Sequence, residues 1–227
     1  MKQFMNAELK APNVLEIDVD LEIVKEFTAI VDGLLQRAPW HSSTLTEKDF
    51  FSSHPKWDSD IQWISVDTEA AYEFFCSRFS KLGIQKHVAP YIDYEKELIV
   101  YSAFVVTRSV CRNPNFHADW VGANNDAFTL LTPISDNADE FRLLYKNMFG
   151  HTSEYKYKLG KALILGDRFV HSSGADQSDT PLVLLSYTFG TDRMTRWDAI
   201  SKTAAKQGDM FRQPDGQFIR RGLRCKN

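Results

Sequence analysis

The sequence has little of several features that would each have fixed a class. Its three cysteines, Cys76, Cys111 and Cys225, stand far apart with no Cys-x-x-Cys pair. That spacing argues against a disulfide framework and a thiolate zinc site, and a reducing compartment is the expectation. Eleven glycines and eight prolines in 227 residues form no low-complexity tract, and no internal repeat is visible. No apolar run approaches the roughly 18 residues of a spanning helix. The start, Met1-Lys2-Gln3-Phe4-Met5-Asn6-Ala7-Glu8, lacks the apolar stretch of a signal peptide. A cytoplasmic protein without a membrane partner is expected. The net charge of −3, from 27 basic and 30 acidic residues, leaves no electrostatic footprint for nucleic acid. The basic tail Arg220, Arg221, Arg224 and Lys226 reads as a solvated end. The oligomeric state is left open.

What the chain does have is an ordinary soluble balance, 43% hydrophobic and 25% charged, with 16 Phe, 8 Tyr and 5 Trp. Such aromatic content suits a roomy internal pocket or simply a thick core. The length suits a single domain, 1–227. Its first part, 1–96, reads as mostly helical after a short strand at Val14–Val19. Asp20 is placed to cap a helix with Val24, Phe27, Val31, Leu34 and Leu35 at helical spacing, ending near Ala38-Pro39. A second helix is predicted from Thr68 to Leu82, stopped by Gly83. Between them, residues 39–66 form either a lid over a pocket or a surface excursion.

From Glu97 the texture becomes that of strands. Leu98–Thr107 is β-branched and aromatic. Further strands are predicted at Asn115–Trp120, Ala127–Ile134, Glu154–Lys158, Lys161–Leu165, Asp167–His171 and Leu182–Phe189. Short strands punctuated by Gly, Asn and Asp indicate a sandwich or barrel over 97–190. The remainder, 191–227, carries a last helix from Asp192 to about Lys206, with Met194, Trp197, Ile200 and Ala204 on one side, and then the tail. The fold class is therefore α+β with a mainly β core.

The segment with chemical content is Asn115-Phe116-His117-Ala118-Asp119-Trp120. Strand residues two apart share a face, so His117 and Asp119 can present an imidazole and a carboxylate together. His171, at the end of Gly166-Asp167-Arg168-Phe169-Val170-His171, is the candidate third ligand. Two histidines and one carboxylate on one side of an ion, with open positions opposite, are the ligand set of non-haem Fe(II) oxygenases. A His-x-Asp pair alone is weak; a strand-ending His in the same β-rich half strengthens it. His41, His54, His87 and His151 read as ordinary surface histidines.

At these residues the sequence resembles the Fe(II)- and 2-oxoglutarate-dependent dioxygenase superfamily, and within it the phytanoyl-CoA dioxygenase-like branch. The resemblance spans roughly residues 97–190. It rests on Phe116 to Trp120 and on Leu159-Gly160 through His171-Ser172-Ser173-Gly174. It implies a double-stranded β-helix (a jelly roll, cupin-like), with His117 and Asp119 on its second strand, His171 on its seventh, and the N-terminal helices buttressing the larger sheet. It implies Fe(II), 2-oxoglutarate and O2 as cofactor and cosubstrates, and hydroxylation of a C–H bond in a small-molecule substrate. In the related halogenases a Gly or Ala replaces the carboxylate, so Asp119 points to hydroxylation.

One departure is plain. The superfamily places an Arg or Lys about ten residues beyond the distal His to pair with the far carboxylate of 2-oxoglutarate. Here Asp179-Thr180-Pro181-Leu182-Val183-Leu184-Leu185-Ser186 has no cation, and Leu182 stands about where one is expected. Arg108 is the first substitute, with Arg168 and Arg193 behind it. Hydroxyls of Tyr101, Thr129, Thr132 and Ser186 are a second way to hold the keto acid. A third account dispenses with 2-oxoglutarate, as in a cupin-like metalloenzyme doing lyase, isomerase or ring-cleavage chemistry. A jelly-roll binding protein without catalysis is the remaining alternative.

Overall fold

A computed structural model describes residues 3–35, 50–53, 62–66, 68–207 and 210–220. The N-terminal part holds β1 (Met5–Asn6), β2 (Ala11–Pro12), β3 (Val14–Asp18), α1 (Leu21–Leu35), β4 (Phe50–Ser53), β5 (Gln62–Ser65), α2 (Glu69–Phe79) and α3 (Gln85–Val88). The core follows as β6 (Ile99–Val110), β7 (Ala127–Pro133), β8 (Arg142–Lys146), β9 (Thr152–Lys156), β10 (Lys161–Leu165), β11 (His171–Ser173) and β12 (Gln177–Gly190). The chain continues through α4 (Trp197–Gln207) to the hairpin β13 (Met210–Arg212) and β14 (Phe218–Arg220).

The large sheet has the order β3-β10-β7-β12-β6-β5-β4, and the small one β11-β8-β9. His117 adds an isolated antiparallel bridge to His171 at the edge of the small sheet. From β6 to β12, counting that bridge as a strand, the chain alternates between the two sheets except at the β8–β9 hairpin, which stays in the small one, in the manner of a double-stranded β-helix. The expected jelly-roll core is therefore present.

Its side chains divide as a two-sided sheet requires. On β12, Val183, Leu185, Tyr187 and Phe189 point to the outer face and join Phe128, Leu130 and Ile164 under the helices. Leu182 and Leu184 point inward and meet Phe141, Leu143, Tyr145, Tyr155 and Phe169. Helices α1 and α2 cover the outer face, with Phe27 packed on Phe74 and Phe75 at ring distances of 5.6 and 5.1 Å. Phe27 is fully buried, a burial worth about 1.5–3 kcal/mol. The N-terminal helices thus buttress the larger sheet.

Helix ends follow the residues read from sequence. The Asp20 carboxylate accepts the Glu22 N–H, and the Thr68 hydroxyl accepts the Ala71 N–H. Helix α2 tightens into a 3-10 turn over Ser80–Leu82 and stops at Gly83, whose φ of +65° needs no strain without a Cβ. Residues 36–38, where α1 was expected to end, lie outside the described residues, as do His41 and His54.

Several expectations change. The first 96 residues contribute five strands as well as helices, and β4 and β5 extend the large sheet beside β6; the rest of the 39–66 segment lies outside the described residues apart from Val66. The strand expected at Asn115–Trp120 shrinks to the single bridge at His117. Beyond it the backbone turns to other partners: the Asp119 carbonyl accepts the Thr203 hydroxyl and the Trp120 carbonyl accepts the Arg168 N–H. Asp167–Val170 is a tight turn rather than a strand, with Arg168 at φ +61°. Helix α4 begins at Trp197 rather than at Asp192, because the Asp192 carboxylate accepts the N–H groups of Glu95, Lys96 and Glu97. Strand β8 was not foreseen.

Candidate metal centre

The bridge between His117 and His171 builds the site. The His117 N–H donates to the His171 carbonyl at 2.9 Å, and the His171 N–H returns the bond at 2.8 Å. Paired this way, the two residues face each other across a narrow antiparallel step, and their rings lie 4.6 Å apart. Asp119, two residues on, turns its carboxylate to the same place. One ligand atom from each of the three residues lies within 4.8 Å of the others. The Asp119 Oδ1 is 3.6 Å from His117 Nε2 and 3.9 Å from His171 Nε2. Adjacent ligands about 2.1 Å from one ion stand on the order of 3 Å apart, so a small closure completes the triad.

The tautomers are set for ligation. His117 Nδ1 contacts the Asn115 carbonyl at 2.8 Å, and His171 Nδ1 contacts the Phe169 carbonyl at 3.1 Å. A carbonyl only accepts, so each Nδ1 carries the proton and each Nε2 is the ring nitrogen that can ligate an ion. Asn115 is itself held by its N–H donating to the Ser172 hydroxyl at 2.7 Å. Burial pushes the His171 pKa below its usual value, against the opposing pull of the Asp119 carboxylate; the neutral ring is the form that binds metal. Side-chain exposure rises from 7% at His171 to 13% at Asp119 and 34% at His117. The open side is therefore the His117 side. These residues fit Fe(II): two imidazoles and a carboxylate converge on one point.

A buried polar knot holds the two ligand segments together. The Asp167 N–H donates to Asn125 Oδ1 at 2.8 Å, and Asn125 Nδ2 donates to Asn13 Oδ1 at 3.1 Å. Asn13 Nδ2 reaches the Asp167 carbonyl at 2.7 Å, while the Ala123 N–H donates to Asp167 Oδ1 at 2.9 Å. Asn13 and Asn125 both hold positive φ, which asparagine tolerates better than most residues. A Cβ at Gly166 would sit 2.6 Å from Asn125 Oδ1, so only glycine fits there. The sequence reading passed over all three side chains. Their signal was composition alone, an Asn-Asn pair after the ligands and a Gly-Asp turn before His171.

The residues proposed for the keto acid are dispersed. Tyr101 donates its hydroxyl to the Thr191 carbonyl at 2.8 Å and packs on Trp197. Thr129 accepts the Trp120 indole N–H at 3.0 Å, and Thr132 donates to the Lys161 carbonyl at 3.0 Å. Ser186 is fully buried, and its hydroxyl has no hydrogen-bond partner among the described residues. Arg168 projects into solvent, 71% exposed. Arg193 follows β12 with its Nε buried and without a hydrogen-bond partner among the described residues.

Arg108 is the informative case. It stands directly across from Leu182 in the β6–β12 pairing, one strand from the expected position. Its side chain is only 3% exposed, and it forms an ion pair with Asp176. The two terminal nitrogens also donate to the carbonyls of Gly174 and Arg142, both at 3.3 Å. Asp176 is anchored in turn by the Arg142 N–H at 2.7 Å. The Arg108 guanidinium is thus held by one carboxylate and two backbone carbonyls.

A double-stranded β-helix with a His-Asp-His triad at one end is the arrangement of the non-haem iron, 2-oxoglutarate oxygenases, and solved structures of that superfamily share this fold. No family model matches the chain, and no curated protein matches it by sequence. HygX from Streptomyces hygroscopicus, solved with nickel, 2-oxoglutarate and hygromycin B, is 11% identical with a TM-score of 0.57, over 79% of this chain and 83% of its own. The epimerase SnoN, in complex with Fe3+, alpha-ketoglutarate and nogalamycin RO, is 14% identical with a TM-score of 0.55, over 79% of each chain. A Pseudomonas putida prolyl-4-hydroxylase is 9% identical with a TM-score of 0.52, over 79% of this chain and 92% of its own. At such identities the likeness is one of fold.

Proposed function

We propose that the chain is a non-haem Fe(II) oxygenase that consumes O2 and a 2-oxo acid and hydroxylates a C–H bond of a small organic molecule in the cytoplasm. The observation that carries this is the metal centre: His117 Nε2, Asp119 Oδ1 and His171 Nε2 converge, while both Nδ1 atoms are occupied by backbone carbonyls. Iron so held supplies the activation of O2, which takes two electrons from the 2-oxo acid and two from the C–H bond. The chain's own residues orient the ligands, and the inner cluster around Phe169 and Tyr145 keeps water from the buried side of His171.

2-Oxoglutarate is the 2-oxo acid bound in the HygX and SnoN structures, and their further ligands, hygromycin B and nogalamycin RO, support a small-molecule substrate here. Among the residues proposed for cosubstrate contact, Ser186 alone has a buried hydroxyl without a partner among the described residues, and we assign it that contact. Because the neighbours include an epimerase, hydroxylation is the reading that Asp119 favours, its carboxylate completing the triad.

A second reading, a cupin-like metalloenzyme that uses no 2-oxo acid, draws support from Leu182 and the pinned Arg108. One experiment separates them. Purified protein loaded anaerobically with Fe(II) is expected to develop a visible charge-transfer band when a 2-oxo acid is added, and to release CO2 in air. Bound iron without either signal selects the second reading. Iron binding equal in wild type and in His117→Ala and His171→Ala removes the metal centre altogether and leaves a binding protein.

A further inference from the structure

By the resemblance to the 2-oxoglutarate oxygenases, the far carboxylate of a 2-oxo acid bound at the metal would fall near Leu182, and the inner face of β12 there is unlike one built for a dicarboxylate. Ser186, Leu184 and Leu182 alternate inward on it. A cation stands beside this face at the Leu182 level, Arg108 from the neighbouring strand, and there it already holds a carboxylate. Asp176 takes one oxygen to each terminal nitrogen of the guanidinium. Two backbone carbonyls take the other terminal N–H groups.

Asp176 is not placed to yield. Its Oδ2 also accepts the Arg142 N–H, and the turn closes so tightly that a Cβ on Gly174 would meet Asp176 Oδ2 at 2.7 Å and the Arg142 carbonyl at 2.9 Å. A second carboxylate brought to this level would find a neutralised cation and the negative charge of Asp176. Burying a charge without a counter-ion is strongly unfavourable. An uncharged tail meets no such penalty and gains contact with Leu182 and Leu184.

We propose that this chain selects a 2-oxo acid with an uncharged, apolar tail over 2-oxoglutarate, and that the Asp176–Arg108 pair and Leu182 impose the choice. The far carboxylate is supplied by the protein itself. The reaction balances as for any 2-oxo acid: the acid loses CO2 and becomes the carboxylate one carbon shorter, one oxygen atom of O2 enters that carboxylate and the other enters the substrate. The inference rests on the oxygenase reading above and narrows its cosubstrate.

The test is an anaerobic titration of the full-length Fe(II) protein with 2-oxoglutarate and with 4-methyl-2-oxopentanoate, following the charge-transfer band, with CO2 release in air as a second readout. The uncharged acid is expected to bind at least about tenfold more tightly, a tenfold ratio being 1.4 kcal/mol. Leu182→Arg is expected to reverse the order, because it adds a cation whose charge Asp176 does not cancel. Asp176→Asn is expected to move the ratio the same way, and circular dichroism establishes that each variant is folded. Tighter binding of 2-oxoglutarate by wild type, or an unchanged ratio in a folded Leu182→Arg protein, overturns the selectivity while leaving the oxygenase reading intact. A band and CO2 from neither acid overturns both.

Discussion

The metal centre and the Arg108–Asp176 pair treat their polar groups in opposite ways. At the metal centre each histidine spends one ring nitrogen on a backbone carbonyl and turns the other toward Asp119. At the ion pair Arg108 and Asp176 satisfy each other and the surrounding backbone. A site prepared for a ligand keeps donors or acceptors in reserve; a structural ion pair keeps none. Both sites look polar in sequence, and only the partners tell them apart.

The sharpest way to break this contrast is at the ligands. His171→Ala is expected to abolish iron binding and iron-dependent activity, a loss well beyond the roughly 10–100-fold typical of residues behind the ligands; metal analysis after desalting measures it. At the ion pair, Arg108→Met should leave Asp176 buried without its partner and lower stability by about 3–5 kcal/mol in urea unfolding. The double variant Arg108→Met with Asp176→Leu should recover much of that loss, because removing both charges of a buried pair is often close to neutral.

Smaller effects test what surrounds the ligands. Asn125→Ala strips the partner from the buried Asp167 N–H and should cost about 1–3 kcal/mol, with weaker iron binding because the turn before His171 loosens. Ser172→Ala removes the hydroxyl that accepts the Asn115 N–H. It should weaken iron binding by about tenfold while shifting the urea midpoint little. Equal effects of Ser172→Ala and Arg108→Met on iron would erase the distinction between the two sites.

Much of this was legible in the sequence where the signal was local. The helical spacing of Val24 and Phe27, the Thr68 cap and Gly83 stop, and the β-branched run near Val105 each announce their own structure. The ligands were legible as a His-x-Asp pair and a His before small residues. The strand assigned to Asn115–Trp120 failed because its partners are remote: Thr203 and Arg168 take the backbone that a neighbouring strand would have taken. Strand β8 was missed because Arg142 and Lys146 flank a short alternation in which Leu143 and Tyr145 face the barrel. The partner of Arg108 was invisible for the same reason, since Asp176 is distant in sequence and adjacent only through the β6–β12 pairing.

The reciprocal hydrogen bonds between His117 and His171 also govern how an ion leaves. They fix the two backbones to one another, so the positions from which both imidazoles project stay paired even when a ring turns about its own side-chain bonds. Water would reach a bound ion from the His117 side, the more exposed one, while His171 is screened by Phe169, stacked 5.6 Å away. A chelator would approach from that same side, and the backbone pair would keep the spacing that takes up the next ion.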